Sequence, residues 1–378
     1  MADKLRILHT ADLHLGAEFS GLGALSNTRK AELKITADNI FKICRDNKID
    51  FLLLAGDVFE NNSVPENTVS AFFADCQLCP DTKIIFAAGN HDPLTADSPF
   101  LKYNLPDNLT VLGDRDECIT FDDKKTRIYG KSFGGVYMEG SDRFSIIPDD
   151  DDFVNILVLH GDFSTDKSGV YNPISLDFLE NSKMDYVALG HIHEFSGIKK
   201  TGNTYFAYPG APEPHGFDEI GPKGVICGEV GKSYCNLTFV ETAKRTYRYE
   251  EIAISASKSS CDIAEIILSA LKEKYGEKYS DNLYKIALIG KVDAELIINF
   301  AEITAHLLET VFFVKLRDKT EIAIDLSLVA KENTLRGKYV RIMLERCAAE
   351  PQNSEQIMRG LHIGLKAFNS EVKFSENR

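Results

Sequence analysis

Leu5-Arg-Ile-Leu-His-Thr-Ala-Asp-Leu-His-Leu-Gly16 begins as an apolar run and turns polar at Asp12-Leu-His14. A short Leu/Ile-rich run of this kind reads as a buried strand, so the polar block sits where the chain leaves that strand. Four more places repeat the pattern. Phe51–Ala55 precedes Gly56-Asp57, Lys83–Ala88 precedes Gly89-Asn90-His91-Asp92, Val154–Leu159 precedes His160-Gly161, and Tyr186–Leu189 precedes Gly190-His191-Ile-His193. Layered α/β folds gather ligands at the carboxyl ends of their strands, so the five ends are expected to converge on one patch. Asn27–Asp46 and Pro65–Cys76 read as helices between them. Short strands follow at Ser196–Lys199, Thr204–Ala207, Lys223–Val230 and Tyr234–Val240. The expected fold class is α/β, with a two-sheet α/β sandwich over residues 1–245 whose late half is antiparallel.

The blocks carry a complete set of metal donors: the carboxylates of Asp12 and Asp57, the amide of Asn90, and the imidazoles of His14, His160, His191 and His193. His191 and His193 point the same way only on an extended segment. Oxygen mixed with imidazole suits Mn²⁺, Zn²⁺ or Fe²⁺ rather than Ca²⁺, and no cysteine joins the set, which argues against a structural zinc clip. Two divalent ions are expected, Mn²⁺ first among the choices. A pair of cations about 3.5–4 Å apart neutralises a phosphodiester, lowers the pKa of a shared water and steadies the attacking and leaving oxygens. His91, one residue past a donor, is placed to give a proton or hydrogen bond to the leaving or phosphoryl oxygen. Asp92 reads either as a carboxylate that orients an imidazole or as a turn carboxylate before Pro93.

The order of these blocks resembles the calcineurin-like metallophosphoesterases. Leu8-His-Thr-Ala-Asp-Leu-His-Leu-Gly16, Ala55-Gly-Asp-Val-Phe59 and Tyr208-Pro-Gly-Ala-Pro-Glu213 look like its DNA-repair nuclease branch, which includes bacterial SbcD and YhaO-type exonucleases. Leu328-Val-Ala-Lys-Glu and Leu335-Arg-Gly-Lys-Tyr339 are similar to the tail of YhaO-type proteins. The resemblance implies a metal-dependent DNA exonuclease or endonuclease working with an SMC-like, SbcC-like ATPase. It also implies that Asp12, His14 and His193 hold one ion, that Asn90, His160 and His191 hold the other, and that Asp57 bridges them, leaving His91 for the scissile phosphate. Eukaryotic and archaeal members carry histidine three residues after the bridging aspartate, where this chain has Glu60, so cleavage polarity does not carry over from them.

Composition bounds the rest. The 378 residues suffice for two domains, and their net charge is −14. Residues 1–243 hold 22 basic against 37 acidic side chains, residues 244–378 hold 21 against 20, so affinity for DNA must be local and metal-assisted. The run Asp149-Asp-Asp-Asp152 reads as a solvated loop. Eight scattered cysteines do not make a disulfide scaffold, and Cys76-x-x-Cys79 lacks the second pair a zinc site needs. With no apolar run long enough to span a bilayer and no signal peptide, a soluble, cytoplasmic chain is expected. His215, in the loop Ala211–Gly221, is a candidate substrate contact or a loop histidine without duty.

Beyond residue 245 the order is strand, helix, strand, helix, strand: Tyr249–Ile254, Asp262–Tyr275, Leu283–Ile289, Glu295–Leu308 and Val311–Leu316. That predicts a smaller α+β cap over 246–325, with Asp262 and Asp293 as helix starts. Residues 326–378 read as a helical segment built on Thr334–Ala349 and Ser354–Phe368, a candidate for partner docking. DNA, the ATPase and a second copy of the chain are the partners considered. A phosphodiesterase or phosphatase acting on small nucleotides or phosphoproteins, and a non-catalytic scaffold, are the competing functions.

Overall fold

The computed structural model describes residues 4–139, 144–149, 152–163, 169–293, 296–323 and 325–368. The chain divides into two compact units. One runs to Tyr249 and takes back Asp281–Tyr284; the other holds Glu250–Ser280 and the chain from Lys285 on.

In chain order the first unit contains β1 (Leu5–Thr10), α1 (Ser26–Asp46), β2 (Phe51–Ala55), α2 (Glu66–Gln77), β3 (Lys83–Ala87), α3 (Pro99–Lys102), β4 (Leu109–Val111), β5 (Glu117–Phe121), β6 (Thr126–Lys131), β7 (Val154–His160), α4 (Leu176–Asn181), β8 (Tyr186–Gly190), β9 (Lys199–Thr201), β10 (Thr204–Ala207), β11 (Gly224–Gly231) and β12 (Tyr234–Glu241). They form two six-stranded sheets, ordered β12-β11-β1-β2-β3-β4 and β5-β6-β7-β8-β10-β9. Strands β1 to β4 pair in parallel, as do β6, β7, β8 and β10. The late half is only partly antiparallel. β11, β12 and β9 are antiparallel additions, whereas β10 lies parallel to β8, a direction the residues of a short strand do not encode.

Ile7, Phe51, Leu53, Ile85, Ile128, Ile156, Val158 and Tyr186, drawn from both sheets, pack into one core. The intervening Leu52, Leu54, Leu157 and Leu159 are also buried, which is why these strands read as unbroken apolar runs. On α1 the buried side chains Leu33, Ala37, Ile40, Phe41 and Cys44 keep helical spacing, and Phe41 meets Phe72 of α2 edge-on at 5.8 Å. Cys44, Cys76 and Cys79 are buried free thiols.

The chain goes on with β13 (Tyr247–Ala253), α5 (Ser260–Tyr275), β14 (Leu283–Ile289), β15 (Lys291–Val292), α6 (Phe300–Leu308), β16 (Phe313–Asp318), β17 (Glu321–Ile322), α7 (Leu326–Val329), α8 (Leu335–Ala349) and α9 (Ser354–Phe368), which belong to the second unit except for the first residues of β13 and β14. A three-stranded sheet β13-β14-β16 stands beside a β15–β17 pair. Ser259, not Asp262, caps α5: its hydroxyl accepts from the Asp262 amide at 3.2 Å, while the Asp262 carboxylate accepts from the N–H of Lys258, the residue before the cap, at 3.0 Å. Asn299 rather than Asp293 caps α6, which begins at Phe300. Val329, Val340, Leu361 and Leu365 form a small core of their own under α7, α8 and α9. Part of the acidic run, residues 150–151, and Glu295, the expected start of α6, lie outside the described residues.

Candidate metal centre

The carboxyl ends of β1, β2, β3, β7 and β8 meet. The Asp12 amide donates to Gly56 carbonyl at 3.0 Å, His14 N–H to Asp57 carbonyl at 3.0 Å, and Gly161 N–H to Gly190 carbonyl at 3.0 Å. A Cβ on Gly190 would fall on the Ala55 carbonyl, and one on Gly56, whose φ is +89°, would fall into the His160 ring, so neither position admits a side chain. Asp12 (φ 54°), His14 (48°), Asp57 (53°) and His191 (103°) account for four of the ten described non-glycine residues with positive φ. Such strain costs about 1–3 kcal/mol per residue and persists only where the surroundings fix it.

Three histidines have their Nδ1 proton assigned by an acceptor. His14 Nδ1 donates to Glu60 Oε2 at 2.9 Å, His193 Nδ1 to Glu219 Oε1 at 2.7 Å, and His160 Nδ1 to the Ala55 carbonyl at 2.8 Å. Their Nε2 atoms then face other acceptors. His14 and His193 Nε2 lie 3.3 Å apart, and His193 Nε2 is 3.7 Å from Asp12 Oδ1. His160 Nε2 lies 3.1 Å from Asn90 Oδ1 and 3.2 Å from Asp57 Oδ2, and that same Asp57 oxygen is 3.8 Å from His14 Nε2. Lone pairs so opposed demand positive charge, which a proton or a divalent ion supplies. The donor set, two carboxylates, an amide oxygen and imidazoles, fits a divalent transition metal. Asp12, His14 and His193 form one cluster able to hold an ion; Asp12, Asp57 and His160 form another. His191 stands beside the second, its ring 5.2 Å from that of His160 and its amide 3.1 Å from both Asp12 oxygens.

The electrostatics follow this pattern. Burial alone would raise the Asp57 carboxyl, but His160 holds it well below the ordinary carboxylate range. Against burial, Asp57 lifts His160 to about 9, and the hydrogen bond to Glu219 lifts His193 to about 9. Burial, with His160 next in weight, pushes His191 down to about 4.

His91 is exposed at the rim, its ring 4.7 Å from His14, its Nδ1 3.0 Å from the Glu60 carbonyl and its amide 2.9 Å from Asp57 Oδ1. Asp92 orients no imidazole. Its buried carboxylate accepts the amides of Gly89 (2.8 Å), Asp57 (3.1 Å), Val58 (2.7 Å) and Phe59 (3.1 Å), tying the turn after β3 to the turn after β2. The orienting carboxylates are Glu60 and Glu219. Glu219 also takes His215, through its amide at 3.1 Å and Nδ1 at 3.3 Å, so the loop histidine is anchored beside His193. The one sequence signal for Glu219 is its place four residues after His215 in the same loop.

A family model for calcineurin-like phosphoesterases matches residues 5–195. The uncharacterized metallophosphoesterase YhaO of Bacillus subtilis is 28% identical over 290 residues, covering 72% of this chain and 70% of that one. The DNA double-strand break repair protein Mre11 of Methanopyrus kandleri is 28% identical over 57% of this chain, and the SbcD component of the SbcCD nuclease of B. subtilis is 28% identical over the same share. The chain spans 50% of the first of these two and 64% of the second. With half its length under the family model and the metal-donor clusters at its strand ends, the chain belongs to the calcineurin-like phosphoesterases, and its similarity to YhaO, Mre11 and SbcD supports the DNA-repair nuclease branch.

Proposed function

We propose that the protein is a two-metal phosphodiester hydrolase acting on DNA in repair, with an SMC-like ATPase as partner. Asp12, His14 and His193 would hold one ion, Asn90, His160 and His191 the other, and Asp57 both. The observation that carries this reading is the facing pair of His14 and His193 Nε2 atoms at 3.3 Å, with Asp57 Oδ2 set between His14 and His160. Two divalent ions, Mn²⁺ by preference, would neutralise the phosphate and lower the pKa of a water.

The chain's own residues do the rest. Glu60, Glu219 and the Ala55 carbonyl fix the tautomers that leave each Nε2 as a donor atom. Asp92 locks the two turns that present Asp57 and Asn90. His91, its Nδ1 held by the Glu60 carbonyl at the exposed rim, would act in its doubly protonated form, giving the Nε2 proton to a phosphoryl or leaving oxygen. The near-neutral C-terminal third, with its separate small core, would contact DNA and hold the partner.

The test is incubation of metal-stripped protein with end-labelled single- and double-stranded DNA, with and without Mn²⁺. Cleavage that appears only with metal is expected. Metal-dependent hydrolysis of a small chromogenic phosphodiester with none of DNA would transfer the protein to the small-molecule phosphoesterases.

A further inference from the structure

An aromatic row leads outward from the metal centre, and the chemistry proposed for that centre does not use it. The Tyr171 ring lies 5.2 Å from that of His191 at 34°, and Tyr137 lies 5.8 Å beyond it at 39°. Tyr171 is half-buried, whereas Tyr137 is 64% exposed, with Val136 and Val170 exposed beside it. The row is tied to the site by hydrogen bonds. Met138 and Tyr171 form a parallel bridge, Met138 N–H donates to Val170 carbonyl at 2.9 Å and Asn172 N–H to Met138 carbonyl at 2.7 Å. The Asn172 side chain donates to the His160 carbonyl at 2.8 Å, so Tyr171 is fixed relative to a proposed metal donor.

A lone exposed tyrosine is ordinary, but Tyr137 buries little and is continuous, ring by ring, with an imidazole at the reacting centre. We infer that Tyr137 and Tyr171 form a stacking subsite for an unpaired nucleobase next to the phosphate being cleaved, a reading that rests on the DNA hydrolysis proposed above. In a duplex the faces of the bases are covered, so the occupant is single-stranded DNA or a frayed end. Every base has a π-face, so the subsite accepts any sequence, and stacking needs no basic residue in a first unit that is strongly acidic.

The test uses the full-length, Mn²⁺-loaded protein and its Tyr137→Ala and Tyr137→Phe variants. Each is assayed on a single-stranded oligonucleotide and on an oligomer of equal length built from abasic tetrahydrofuran units. The alanine variant should raise KM on the oligonucleotide by about tenfold to a hundredfold, the range set by loss of one stacked base, while phenylalanine keeps the wild-type value. On the abasic oligomer all three proteins should share one high KM. Equal KM values for wild type and Tyr137→Ala on the oligonucleotide would overturn the subsite while leaving DNA hydrolysis in place. A wild-type protein that hydrolyses bis(p-nitrophenyl) phosphate but neither oligomer would remove both readings together.

Discussion

His14 and His193 can present bare Nε2 atoms to one another because Glu60 and Glu219 occupy their Nδ1 protons. Those carboxylates stand 46 and 26 residues from the imidazoles they hold, which is why the sequence shows the candidate donors and conceals the residues that orient them. The proposed donors stand out in the sequence because each lies at or just past the end of a strand. Asp92 illustrates the limit of such adjacency: beside Asn90 and His91 it reads as part of the chemistry, yet its four amide contacts make it the clasp between two turns. His91 does face the site, with its ring against His14. If it serves substrate rather than metal, His91→Ala should keep both ions and lose roughly 10²–10⁴-fold in kcat, the usual scale for a positioned acid. Metal analysis beside the kinetics decides this, because a variant that has shed an ion cannot support the assignment.

At the scale of elements, the parallel strands were legible because burial on both faces leaves continuous apolar runs, and the site lies at their ends. β5 was not legible: Glu117–Phe121 alternates half-buried with exposed positions at the sheet edge and carries no unbroken apolar signal. The caps of α5 and α6 were misplaced by three and six residues because Ser259 and Asn299 compete with nearby aspartates for the same duty, and only backbone geometry selects between them. Close approach of β2 and β8 is the element-level requirement of the centre, and Gly190 is where it is tightest. Gly190→Ala forces the new methyl onto the Ala55 carbonyl, so the urea midpoint should fall by the equivalent of about 1–3 kcal/mol or more, with weaker Mn²⁺ binding as the ends separate. Unchanged stability and affinity would mean that the strand ends have room the geometry denies.

Across the whole molecule, charge and architecture are divided in the same sense: the acidic first unit carries every proposed donor, and the near-neutral remainder carries none. Sequence pattern marked where helices and strands resume after residue 245. It held no sign that the chain would return at Asp281–Tyr284, where the Leu283 amide bonds the Thr246 carbonyl at 3.0 Å, because a pairing across so long a segment leaves no local periodicity. Among the described residues no helix is long and apolar enough to cross a membrane. The proposed centre holds two cations between seven side chains from five strand ends. Anomalous diffraction at the manganese edge from Mn²⁺-loaded crystals tests it most directly. Two peaks about 3.5–4 Å apart should appear, one against Asp12, His14 and His193, the other against Asn90, His160 and His191, with Asp57 touching both; a single peak, or none among these side chains under saturating metal, would contradict the account.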